Sequence, residues 1–216
     1  MNQDLIIKGL EVGPFMSNCF IVGSRQTKKG FIVDPGADAP DILQVVQADG
    51  LDIKLIVITH GHVDHISAAA AIKKATGAQV AVHESDAPLL RGGGSTASLF
   101  GLRFDAPPAP DRLLKEGDKI EVDGLNFLVI HTPGHSLGGI CLYGEGVVFT
   151  GDTLFNLSIG RFDMPGGDGR LLVNNIQAKL MVLPEDTIVL PGHGPQSTIG
   201  HEKQWNPFLK EQFLAF

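Results

Sequence analysis

Three histidines and one aspartate fall within six positions of the run Thr59-His60-Gly61-His62-Val63-Asp64-His65. Imidazole and carboxylate are the donors that suit zinc and neighbouring first-row metals. Packed this closely they rarely serve a core, because buried imidazole and carboxylate groups need partners, and a metal supplies them. Three further segments share one form, an apolar run ending in a tight polar turn: His131-Thr132-Pro133-Gly134-His135, Thr150-Gly151-Asp152-Thr153 and Pro191-Gly192-His193-Gly194. Proline and glycine bend the chain sharply there and let backbone approach an ion closely. Each segment alone is a weak signal; together they mark a metal centre. Structural zinc sites are closed and usually take four Cys or His ligands, so many mixed donors on glycine-rich turns read as an open, catalytic site. No Gly-x-Ser-x-Gly elbow offers a serine nucleophile instead.

Such a centre has to be held by strands that end where the donors begin. Lys54 to Ile58 is short, apolar and β-branched, a buried strand stopping at Thr59. That places the histidine run at a strand's carboxyl end, where α/β proteins tend to hold ligands. Further strands are expected at Leu5 to Val12, Cys19 to Val22, Phe31 to Val33 and Gln79 to Val82. A meander follows at Lys119 to Val122, Leu125 to Ile130, Gly139 to Tyr143 and Val147 to Phe149, with one more strand at Thr187 to Leu190. Helices are expected from Ala39 to Gly50, from Ala68 to Thr76 closed by Gly77, and over Leu172, Ile176, Leu180 and Leu183 with Asp168 near the start. Arg91 to Pro110, with three consecutive glycines and three prolines, reads as a long loop able to cover the site. Trp205, Phe208, Leu209 and Phe213 stand at helical spacing, as a face that docks on the core. Interspersed strands and helices point to one α/β layered domain over residues 1–216.

A chain of 216 residues, 43% hydrophobic, can bury a substantial core. Its net charge of -7 argues against nucleic-acid binding, which needs clustered Lys and Arg. No stretch approaches the ~18 apolar residues of a membrane span, and Met1 to Phe15 has neither the basic start nor the apolar run of a secretory leader. Cys19 and Cys141 sit in apolar runs and read as reduced core thiols, so a cytoplasmic protein is expected.

The whole pattern, from Asp34-Pro35-Gly36 to Asn206-Pro207-Phe208-Leu209, resembles the metallo-β-lactamase superfamily, whose fold is an αββα sandwich. Gly151-Asp152-Thr153-Leu154-Phe155, Ser158-Ile159-Gly160-Arg161 and Pro191-Gly192-His193-Gly194-Pro195 resemble its short glyoxalase-II-like hydrolases most. The resemblance implies two divalent metal ions, with zinc first and iron or manganese as alternatives. It assigns His60, His62 and His135 to the first ion and Asp64, His65 and His193 to the second, with Asp152 bridging. Asp34 matches an aspartate that orients the ligand loop. His131 matches a position that is not a ligand, and His83, at an apparent helix start, and His201 read as surface or capping residues.

Two ions about 3.5–4 Å apart can share a water and bring its pKa down towards ~7. Asp64 and Asp152 would hold and orient the resulting hydroxide. A thiolate departs without a strong general acid, its thiol having a pKa near ~8.5. The implied substrate is S-lactoylglutathione or a related small-molecule thioester. Arg161 is the cation expected to meet the substrate's carboxylates, with an internal pair to Asp163 as the competing reading. The chain departs from full-length glyoxalase II in ending about twenty residues after the last ligand loop and in having a single tyrosine, Tyr143. The alternative within the superfamily is a mononuclear-iron persulfide dioxygenase, distinguished by metal count. A secreted β-lactamase fits less well, because those enzymes generally lack a bridging aspartate. A non-catalytic metal-binding module would turn over no thioester or ester even when fully loaded.

Overall fold

The computed structural model describes residues 4–90, 107 and 109–210. One six-stranded sheet runs, in spatial order, β1 (Leu5–Val12), β2 (Ser17–Ser24), β3 (Lys29–Val33), β4 (Asp52–Ile58), β5 (Gln79–His83) and β6 (Arg112–Leu114). β1 to β3 pair antiparallel and β3 to β6 parallel. The second sheet contains β7 (Lys119–Val122), β8 (Leu125–His131), β9 (Ile140–Gly144), β10 (Val147–Gly151), β13 (Ile188–Pro191) and β14 (Ser197–Thr198), in spatial order β14-β13-β10-β9-β8-β7. Only β10 and β13 pair parallel in it. A small hairpin, β11 (Leu154–Phe155) and β12 (Ser158–Ile159), follows β10.

Strand periodicity explains the layering. In β4, Leu55 and Val57 face the second sheet, clustered with Phe127, Val129 and Phe149, while Ile56 and Ile58 face helices. The part of β4 covered on both faces has no polar side, which is why Leu55 to Ile58 reads as an unbroken apolar run, while Asp52 and Lys54 at its start stay exposed. The helices over the first sheet are α1 (Ala39–Ala48), α2 (Val63–Ile66) and α3 (Ala69–Thr76), contributing Ile42, Val46, Ile66 and Ile72. Over the second sheet, α4 (Gly169–Asn175) continues into a π turn at Ile176–Leu180, and Leu172, Ile176 and Leu180 pack on Ile130, Val148 and Val189. α5 (Ile199–Trp205) adds Ile199 to the same layer. The architecture is therefore an αββα sandwich of two mixed sheets. Between the sheets, Phe31 and Phe127 meet edge to face with centroids 5.3 Å apart, a favoured aromatic geometry.

Gly77 closes α3 in the left-handed conformation, and the Asp168 carboxylate caps α4 by accepting from Leu171 N. Four short strands, β6, β11, β12 and β14, have no local signal, because two or three residues become a strand only when a neighbour pairs with them. α2 arises inside the histidine run itself. The expected loop over 91–110 lies largely outside the described residues. The C-terminal stripe is only partly realised: Phe208 and Leu209 lean on the outer core, but Trp205 is 59% exposed. Asn206 breaks the helical register, leaving helical geometry and capping a new turn by accepting from Phe208 N. Phe213 lies outside the described residues. Cys19 and Cys141 are both buried and free. Among the described residues, no helix is long and apolar enough to cross a membrane.

Candidate metal centre

Five of the seven proposed donors follow the carboxyl ends of four strands, and these ends meet on the same side of the sandwich. His60 and His62 follow β4, His135 follows β8, Asp152 follows β10 and His193 follows β13. Asp64 and His65 lie on α2, whose single turn folds the second half of the histidine run back over the first.

The side chains form two groups. Donor atoms of His60, His62 and His135 lie within 4.8 Å of one another, as do those of Asp64, His65 and His193. Asp152 stands between them. Its Oδ2 is 3.5 Å from His135 Nε2 and 4.0 Å from His60 Nε2, and its Oδ1 is 3.4 Å from His65 Nε2. Within the groups, His62 Nδ1 is 2.9 Å from His135 Nε2, His65 Nε2 is 3.3 Å from His193 Nε2, and His193 Nε2 is 3.2 Å from Asp64 Oδ2. Donors about 2.0–2.1 Å from a tetrahedral ion stand about 3.3–3.4 Å apart, so these spacings fit metal coordination.

The hydrogen bonds behind the rings decide which atoms face inwards. Asp34 is buried and held at φ 50, and its carboxylate accepts from Thr59 N at 2.7 Å, from the Thr59 hydroxyl at 2.5 Å and from His65 Nδ1 at 3.0 Å. The Thr59 hydroxyl has spent its proton on Asp34, so it accepts from His60 Nδ1 at 3.1 Å. His135 Nδ1 donates to Arg161 O at 2.7 Å. With Nδ1 turned to a protein acceptor in all three rings, each presents Nε2 to the centre, and these atoms converge on a carboxylate. Four lone-pair donors facing one another need a cation. The demand shows directly in His60 Nε2 and Asp152 Oδ1, which are buried without a hydrogen-bond partner. Asp34, His60 and His65 also cluster, but Asp34 meets His65 through Nδ1, on the side away from Asp152.

The two groups differ electrically. Burial, reinforced by the surrounding imidazoles, pushes the His60 pKa well down, and burial beside His135 brings His62 down to about 4. Around the second group burial again opposes charge, but the carboxylates win. Asp152, Asp34 and Asp64 raise His65 to about 10, and Asp64 and Asp152 raise His193. Burial works against the Asp64 anion too, but the His193 hydrogen bond and the charge of His65 hold it well below the usual carboxylate range. Positive charge is thus wanted at Asp64, His65 and His193, and a metal ion supplies it as readily as a proton.

Five of the donors, His62, Asp64, His135, Asp152 and His193, line a cleft of about 510 Å³, with His60 and His65 buried behind them. Phe15, Leu89, Phe155, Ile159 and Met164 give it apolar walls, and Arg161 lies at its margin. Arg161 does form the competing pair, binding Asp163 through Nε at 2.8 Å and through Nη2 at 3.1 Å. That pair is solvent-exposed.

Two glycines in the motifs serve different ends. A Cβ on Gly192 would stand 2.3 Å from Asp152 Oδ1, so this glycine does permit close approach to the centre. Gly134, at φ 135, instead fits against the backbone of Leu172, where a Cβ would come within 2.5 Å; it seats α4 rather than an ion. His131, expected not to be a ligand, donates from Nε2 to Leu137 O at 3.0 Å. His201 is exposed as expected, but His83 is not a surface residue: it ends β5, is buried and stacks on His131 with centroids 3.9 Å apart, while its Nδ1 accepts from Ser85 N at 3.2 Å and so caps the turn that follows. The β5 run continues one residue further than Val82 because Leu114 of β6 pairs with His83. Sequence reading missed Thr59, the link between Asp34 and His60. It also missed Asn18, whose side chain donates to Pro191 O and Gly194 O and so fixes the His193 turn. Thr59 could have been found beside His60; Asn18 is remote in sequence and carries no such signal.

A model of the metallo-β-lactamase superfamily matches residues 12–193. The hydroxyacylglutathione hydrolase GloC of Haemophilus influenzae is 38% identical, over 95% of this chain and 99% of its own length. Among solved structures, BLEG-1 B3 metallo-beta-lactamase superposes with a TM-score of 0.89 at 36% identity, over 95% of this chain and all of its own. TTHA1623 in a di-iron-bound form superposes with a TM-score of 0.85 at 38% identity, over 94% of this chain and 100% of its own.

Proposed function

The chain belongs to the metallo-β-lactamase superfamily, and from that premise we propose that it is a metal-dependent thioester hydrolase of the hydroxyacylglutathione hydrolase type. The observation that carries the reading is the convergence of imidazole nitrogens and carboxylates on both sides of Asp152, beside an open cleft. His60, His62 and His135 would hold one divalent ion, Asp64, His65 and His193 a second, and Asp152 both. The likeness to GloC and the di-iron form of TTHA1623 support this assignment. When bound, the ions supply Lewis acidity, polarising a carbonyl and lowering the pKa of water.

The chain's own residues do the rest. Asp64 and Asp152 accept hydrogen bonds from the attacking water and aim its lone pair towards the cleft. Thr59 and Asp34 keep the imidazoles turned with Nε2 inwards, so no donor rotates away during turnover. The apolar walls exclude bulk water from the acyl carbon. No residue need protonate the leaving thiolate, since thiols have a pKa near ~8.5. Arg161 meets a substrate carboxylate by exchanging its exposed partner Asp163 for it, a swap that costs little because exposed pairs are weak.

Purified chain loaded with zinc, iron or manganese should release thiol from S-lactoylglutathione, with close to two ions bound. Arg161→Ala should raise KM for that substrate more than for a small neutral thioester and leave kcat nearly unchanged. A plateau at one iron per chain, with oxygen consumed on glutathione persulfide and no thioester cleavage, would replace this reading with a mononuclear-iron persulfide dioxygenase.

A further inference from the structure

His62 and His135 come from loops on different sheets, yet their ring nitrogens are 2.9 Å apart. Something must fix that separation. Beyond β5 the chain turns and sends in Asp86, which is fully buried. Its Oδ2 accepts from Gly61 N at 2.9 Å and from the Ser136 hydroxyl at 2.8 Å, and its Oδ1 accepts from Gly138 N at 2.6 Å. Gly61 lies between His60 and His62, and Ser136 follows His135. One carboxylate therefore spans both donor loops. The turn that carries it is itself bound: Asp86 N donates to His83 O at 3.0 Å, and Leu89 N donates to Asp86 O at 2.9 Å. The fit is close, since a Cβ on Gly138 would stand 2.8 Å from the Asp86 side chain.

We propose that Asp86 is a positioning residue that sets the spacing of His62 and His135 and thereby the affinity of the metal position they form with His60. Three donors point at it, so the role needs an acceptor on both oxygens. Asparagine offers one acceptor oxygen, and its amide hydrogens would confront at least one of the three donors. The loops are also joined by Ile140 N donating to Thr59 O at 3.0 Å. Loss of the carboxylate should therefore shift the loop tips, where the imidazoles sit, without separating the sheets. Removing a partner that orients metal ligands typically weakens binding by about 10–100-fold. The inference rests on the metal assignment above but requires no thioesterase activity.

Cobalt(II), which accepts the same donors, is titrated into the full chain against a competing chelator and followed by its visible absorption. Wild-type protein should take two ions. Asp86→Asn should weaken one of them by about 10–100-fold and alter its absorption band, leaving the other unchanged. In a His62→Ala background, Asp86→Asn should have no further effect on the remaining ion. Ser136→Ala, which deletes a single one of the three bonds, should shift the same ion in the same direction by less; it decides the matter alone if Asp86→Asn does not fold. Equal weakening of both ions, or a lowered melting temperature with both affinities intact, would overturn the proposal. Wild-type protein that binds no cobalt would overturn the metal assignment itself, and the proposal with it.

Discussion

At the scale of single residues, the eight histidines divide by what stands behind each ring. His60, His65 and His135 commit Nδ1 to a protein acceptor and turn Nε2 to the centre, His62 and His193 line it beside them, and His83, His131 and His201 do not. His62→Ala or Asp152→Ala should lower activity by at least about 100-fold, the upper end of what even a supporting group is worth, with metal content falling in parallel. His201→Ala, on an exposed helical turn, should change neither; loss of activity there comparable to His62→Ala would refute the division of roles. His83 makes a separate, pH-dependent contribution. Burial first, then the stacked His131, lowers its pKa below 6.5, against the opposing carboxylates of Glu84, Asp86 and Glu116. The folded form thus resists a proton that the unfolded chain accepts. Above pH 6.5 both states are neutral and nothing is lost; as pH falls below that value the unfolded state binds more protons and stability drops. Urea midpoints should fall between about pH 7.5 and about pH 5.5 by less in His83→Phe, which keeps a ring against His131, than in wild type. Equal falls would show that His83 is not involved.

At the scale of elements, the site depends on how α4 is seated. The turn before His135 and the start of α4 share a tight junction: Asp168 N donates to Gly134 O at 2.7 Å, and Gly134 abuts Leu172. Gly134→Ala places a methyl group against backbone that cannot swing aside and imposes a side chain at φ 135. Overpacking of this kind typically costs about 1–3 kcal/mol. The melting temperature should drop accordingly and the His135 loop should be displaced, so metal affinity should fall too. Ile176→Ala tests the same layer from its far side. Ile176 is fully buried on Ile130 and Val189, so its truncation should cost about 2–5 kcal/mol while leaving metal stoichiometry intact in the folded protein. A drop in stoichiometry with Ile176→Ala would mean that the outer core and the centre are coupled more closely than the packing indicates.

For the whole molecule, the centre joins the two sheets. His60, His62, Asp64 and His65 follow the first sheet, and His135, Asp152 and His193 follow the second. An ion held between these groups would bind the folded chain and find no preformed site in the unfolded one, so it would stabilise by mass action, about 2.7 kcal/mol at a hundredfold excess over Kd. Stripping with a chelator should lower the melting temperature, and adding back zinc, iron or manganese should restore it in proportion to ion concentration. A melting temperature indifferent to both treatments would show that the donors do not hold an ion across the sheets.

The sequence alone determined the four donor segments, the layered α/β class and most of the longer elements, because these rest on local chemistry. Apolar runs such as Leu55 to Ile58 must be buried, and imidazoles packed as in His60 to His65 must be partnered. It also placed Asp168 near the start of its helix and gave Gly77 its closing role, both of which depend on neighbours within one turn. What only the tertiary structure decided involves partners far apart in the chain. The pairs Asp34 with His65, Asn18 with Pro191 and Asp86 with Gly138 carry no spacing signal. The burial of His83 is set by a ring from the opposite sheet. Trp205 shows the converse: its helical spacing was legible, but Asn206 ends the helix by capping the next turn, and the aromatic stripe loses its register. Local pattern fixes which groups must find partners; closure of the two sheets on one another fixes which partners they find.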